Sequence, residues 1–108
     1  MNGTFAIMWD CEGLEAVVRV PDPADTTFAL LKGVAPPEPP NLNHWRLRAQ
    51  HNPQRHYEIY IISADAGIET EDIRGMFKNS PQTAADTIRN IGHKFYSNRA
   101  QDARVVIR

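Results

Sequence analysis

The stretch NHWRLRAQHNPQRHYEIYIIS, residues 43–63, decides how this chain is read, because two apolar sets alternate on either side of Asn52-Pro53. Over residues 43–50, Trp45, Leu47 and Ala49 take one parity, while His44, Arg46, Arg48 and Gln50 take the other. Over residues 55–63, Tyr57, Ile59 and Ile61 alternate in the same way with His56, Glu58, Tyr60 and Ile62. Period-two alternation is the pattern of a half-buried strand, and Asn-Pro is a turn signal. The stretch therefore predicts a β-hairpin. Both apolar sets lie at odd positions, so one shared face needs an odd-length loop such as His51-Asn52-Pro53. In that register Arg48 opposes His56, Arg46 opposes Glu58 and His44 opposes Tyr60. An Arg46–Glu58 pair of this kind contributes a few tenths to about 1 kcal/mol.

Toward the N-terminus a second hairpin is expected over residues 4–20. Phe5, Ile7 and Trp9 alternate in its first strand, and Leu14, Ala16, Val18 and Val20 in its second, with Gly13 in the turn between them. Pro21 ends that strand because it has no N–H for the ladder. Asp22 and Pro23 suit the N-cap and first position of a short helix that closes at Gly33, although Thr26 and Thr27 leave a strand as the alternative. Pro36, Pro37, Pro39 and Pro40 favour extended geometry and read as a stiff connector within one domain.

Toward the C-terminus, Ile73, Met76 and Phe77 form the stripe of a helix begun at Glu69 or Thr70 and running to Lys78. Ser80-Pro81 starts another, in which Ala84, Ala85, Ile88 and Ile91 recur at helical spacing, with extension to Phe95 if Gly92 is tolerated. Residues 104–108 read as a final strand, whose edge offers a route to a homodimer. The fold class expected is α+β, a single domain over residues 1–108. Its order is ββ-α-ββ-α-α-β, with a mostly antiparallel sheet of four or five strands and helices packed on one face. The expected core is Phe5, Ile7, Val18, Leu47, Ile59, Ile61, Ile73, Phe77, Ile88 and Val106.

With 108 residues there is room for one core, since domains cluster at ~100–150 residues. An apolar content of 42% and charged content of 23% speak against a disordered chain. No apolar run approaches the ~18–20 residues that cross a bilayer, so no membrane partner is expected. The start Met1-Asn2-Gly3-Thr4 lacks the basic and apolar segments of a secretory signal, and the lone Cys11 has no partner for a disulfide. A cytoplasmic protein is the expectation.

Chemistry leaves few traces. Cys11 lies between Asp10 and Glu12, which disfavour a thiolate. His44, His51 and His56 have no CxxC, HExxH or second cysteine to complete a metal set. His56, Glu58 and Tyr60 share a parity, but every half-exposed strand groups its polar residues so. No carboxylate pair, Ser–His–Asp set or phosphate-binding glycine loop is present, and neither enzyme activity nor a cofactor is expected.

The net charge of −1 conceals a basic stretch. Residues 39–57 hold Arg46, Arg48, Arg55 and three histidines without an acid. His44, Arg46, Arg48, Arg55, His56 and Tyr60 are therefore the expected partner-binding residues. Arginine with planar side chains suits an acidic protein surface, and equally phosphate and stacked bases. Histidine on such a face makes binding pH-sensitive. The reading is a small non-enzymatic binding protein, an inhibitor or adaptor acting on a protein partner. Nucleic-acid or nucleotide binding through residues 44–56 is the alternative; the near-neutral net charge and the lack of an RRM or KH motif weigh against it. No motif carries a family assignment. The compact build alone resembles small phage-encoded accessory proteins that bind a host factor.

Overall fold

The computed structural model describes residues 3–20 and 42–98. The helix expected over residues 22–33, the proline-rich connector and the strand at 104–108, with any homodimer built on it, lie outside the described residues.

Strand β1 (Gly3–Asp10) pairs antiparallel with β2 (Gly13–Val20), so the first hairpin forms as expected. Its register changes near the turn. Met8 faces Ala16 but Trp9 faces Leu14, which leaves Glu15 as the bulged residue. Gly13 takes a φ of 148°, a conformation an L side chain rarely adopts. On its other side β1 pairs with β3 (Glu58–Ala64), and β3 in turn pairs with β4 (His93–Ser97). The sheet is four-stranded and antiparallel throughout, in the order β2-β1-β3-β4.

The predicted second hairpin does not form. Leu42–Gln50 is a helix, α1, and β3 takes β1 as its partner instead. The physical reason is that Trp45 and Ala49, four residues apart, satisfy both a period of two and a period of 3.6. Leu42 supplies the third residue of a helical stripe, and Leu42, Trp45 and Ala49 are all buried. Leu47, whose inward placement a strand would require, is 49% exposed. Composition agrees with the helix, since Leu, Arg, Ala and Gln are good helix formers and residues 42–50 contain no β-branched residue. Asn52 closes the helix by donating its side-chain amide to the Arg48 carbonyl at 2.9 Å.

Helix α1 also corrects the expectation that helices pack on one face. Leu42, Trp45 and Ala49 join Ala6, Met8, Val20, Tyr57 and Ile59 on one side of the sheet. On the other side α2 (Thr70–Asn79) and α3 (Pro81–Ile91) bring Ile73, Phe77, Ala84, Ala85 and Ile88 against Phe5, Ile7, Trp9, Val17, Tyr60 and Ile62. The inner strands are covered on both sides, which is why Glu58, Tyr60 and Ile62 are buried along with Ile59.

The two consecutive helices were legible. The Glu69 backbone N–H donates to the Asp72 carboxylate at 2.8 Å, closing a capping interaction at the start of α2. Ser80 ends α2 by donating its N–H to the Met76 carbonyl, and its own carbonyl accepts from Ala84 as α3 begins. The extension of α3 to Phe95 does not occur, because Gly92 is extended at φ −98°, ψ 169° and the chain turns into β4. A Cβ at Gly92 would lie 2.8 Å from the Ile62 side chain and 2.7 Å from the Ile88 carbonyl, so the residue is small because β3 passes close by. Of the expected core, Val18 and Ile61 are half-buried, Leu47 is exposed, and Val106 lies outside the described residues. No helix among the described residues is long and apolar enough to cross a membrane.

Candidate interaction surface

The expected partner-binding residues divide into three groups. His44, Arg46 and Arg48 stand on the exposed side of α1, not on a strand. Leu47 points away from the buried Leu42–Trp45–Ala49 stripe, at the middle of the outward surface. At 100° per residue, Arg46 and Arg48 flank it on either side, and His44 and His51 lie one turn before and after it. All of these side chains are exposed. The two flanking arginines differ in one respect. Arg48 reaches Glu15 on β2 at 3.0 Å, whereas Arg46 makes no ion pair among the described residues.

Arg55 belongs to a second group, turned inward at the β1–β2 turn. The Asp10 carboxylate is 1% exposed and accepts backbone N–H donors from Glu12 at 2.7 Å and Gly13 at 3.1 Å, which organises the turn. Its other oxygen accepts from the Arg55 guanidinium, which also reaches Glu12 at 2.7 Å and Glu15 at 3.6 Å. Glu12, Gly13, Leu14 and Glu15 line a shallow concavity of about 140 Å³ with Asp10 and Arg55. Three carboxylates thus share two guanidiniums. Burial pushes the Glu15 carboxyl above its ordinary value, and a hydrogen bond and charge from Asp10 add to the effect, while Arg48 and Arg55 pull the other way. Burial likewise raises the Tyr57 hydroxyl. His56 is half-buried in the segment between α1 and β3.

Tyr60 belongs to neither group. It is 4% exposed and stacks on Trp9 with ring centroids 5.2 Å apart and planes 3° from parallel. Glu58 lies beside it, 3% exposed. Its carboxylate accepts the Trp9 indole N–H at 2.9 Å and a two-pronged contact from Arg89 on α3, at 3.0 and 2.6 Å. The hydrogen bond to Glu58 stabilises the charged Arg89 guanidinium, which also stacks over the Trp9 ring at 5.5 Å. These contacts lock α3 to the sheet and use the Glu58 carboxylate and the Tyr60 ring for packing. The expected Arg46–Glu58 pair is replaced by Arg89–Glu58.

The geometry therefore gathers His44, Arg46 and Arg48 on one surface, with Leu47 and His51 added, and removes Arg55 and Tyr60 from it. Sequence reading passed over Leu47 as a surface residue because strand parity placed it in the core. Among the described residues, no group of three or more histidine, cysteine or acidic side chains is arranged to hold a metal ion. Comparison with protein-family models, with curated proteins and with solved structures finds no match to this chain.

Proposed function

We propose that this chain is a non-enzymatic binding protein, an inhibitor or adaptor, that docks an acidic surface of a protein partner through the outward side of α1. The observation that carries the reading is Leu47, 49% exposed at the centre of a helix face with Arg46 and Arg48 on its flanks and histidines at both ends. Arginine is among the residues enriched at protein-binding hot spots, and here two of them flank an apolar side chain that water does not favour. No acid lies between residues 39 and 57, so this surface complements carboxylates. The chain's own Glu15 already supplies one such carboxylate to Arg48. A nucleic acid is served less well. Arg55 is engaged by Asp10 and Glu12, and Tyr60 is buried, so neither is presented to a phosphate or a base.

Affinity capture from the source cell tests the reading when wild type is compared with an Arg46→Glu, Leu47→Asp double variant. Both positions are exposed, so the variant is expected to keep the wild-type circular dichroism and melting curve while losing the dominant captured protein. Undiminished capture by a folded double variant would move the docking surface off α1. Oligonucleotide binding that weakens steeply with salt and is lost in the same variant would replace the protein partner with a nucleic acid.

A further inference from the structure

Arg48 sits on the flank of the α1 face yet is held by a carboxylate from the sheet, and that carboxylate occupies an unusual position. Glu15 is the bulged residue of β2, with no register partner on β1. Its side chain is 20% exposed. Facing it are Asp10 from β1, Glu12 from the turn, Arg48 from α1, and Arg55 and Tyr57 from the segment that leads into β3. Asp10 is committed to two backbone N–H groups and to Arg55, and Glu12 lies 2.7 Å from the same guanidinium. Glu15 is 3.6 Å from Arg55 and depends on Arg48, itself 51% exposed, for its close ion pair. Of the three carboxylates it is the least firmly held, with its close ion pair made to a half-exposed guanidinium.

We propose that Glu15 is a proton-operated gate on Arg48: ionised, it holds the guanidinium against the sheet, and protonated, it turns to Asp10 and releases Arg48 to the outward face of α1. The proton goes to Glu15 because Asp10, already held by Arg55 and two backbone N–H groups, stays ionised in the same concavity as an acceptor and a like charge. The direction of the Glu15 shift agrees, since burial and Asp10 both favour the neutral acid. Release gives Leu47 an unpaired arginine on each side. Acidification therefore adds a cation to the surface. The consequence for docking rests on the reading of α1 as the docking surface; the gate itself rests on the Glu15, Asp10 and Arg48 geometry.

The test is a side-chain NMR titration of the full chain, following the Glu15 Cδ carbon and the Arg48 Nε–Hε pair. Glu15 is expected to titrate above the ordinary glutamate range, and the Arg48 signal to move with the same midpoint. In Glu15→Gln the Arg48 signal at neutral pH is expected at the position it takes in acidified wild type. A Glu15 midpoint within or below the ordinary range, or an Arg48 signal that ignores Glu15, overturns the gate. Docking is read separately, with a glutamate-rich peptide at neutral pH. Glu15→Gln is expected to bind it roughly threefold more tightly than wild type, the effect of one exposed ion pair. Peptide binding that survives Arg46→Glu unchanged would defeat the docking reading and leave the titration result standing.

Discussion

Arg89→Ala is expected to lower the unfolding free energy by about 3–5 kcal/mol, measured by urea denaturation. The cause is the carboxylate left behind. Glu58 is 3% exposed, and Arg89 contributes both prongs of its ion pair as well as the group stacked on Trp9. Without the guanidinium, the buried Glu58 carboxylate loses both prongs of that ion pair, while the Trp9 indole hydrogen bond stays. Replacing both partners, Arg89→Met with Glu58→Met, is expected to cost far less than the single change, because no unpaired charge then remains. A loss below about 1 kcal/mol in Arg89→Ala would mean that water reaches Glu58 and that α3 is held by its apolar stripe alone.

Trp45→Ala is expected to cost about 3–5 kcal/mol, as for other large core truncations, and to free α1 from the sheet. Trp45 is 6% exposed and is the largest of the three side chains by which α1 grips the sheet. Hydrogen exchange should show the amides of residues 42–50 losing protection before those of β1 and β3. Leu47→Ala provides the contrast. On a helix with Leu47 outward the change is expected within about 0.5 kcal/mol. On the strand that residue parity suggests, Leu47 would be a core residue and its truncation would cost about 2–5 kcal/mol. The two substitutions thus distinguish helix from strand without reference to any partner.

That contrast also explains what could be read from the sequence. The first hairpin was legible because Phe5, Ile7 and Trp9 alternate strictly and Gly13 marks the turn. Helices α2 and α3 were legible because Ser80-Pro81 separates two stripes of clear helical period. Residues 42–50 were misread because Trp45 and Ala49 satisfy both periods. The residue that separates them, Leu47, is an exposed leucine, and surfaces contain many such residues. Strand β3 was recognised as a strand but given the wrong partner and an exposed face. Burial on both sides arises from α1 on one face and α2 and α3 on the other, which local alternation does not encode. The basic residues of the candidate surface are visible in the sequence as a charge run, and their grouping follows from the element that carries them. Arg55 and Tyr60 left the group because their partners, Asp10 and Trp9, lie about fifty residues away in sequence.

The central claim is that binding passes through the outward side of α1 and not through the opposite layer, where Met76 and Ile91 are the other large apolar residues exposed among those described, at 42% and 58%. Site-specific photo-crosslinking compares the two layers directly, with a benzoylphenylalanine placed in turn at positions 47, 76 and 91 of the full chain in the source cell. The expected result is one dominant adduct from position 47, suppressed when Arg46→Glu is added, with none of that species from positions 76 and 91. The same adduct from position 76 or 91, with none from position 47, would contradict the account.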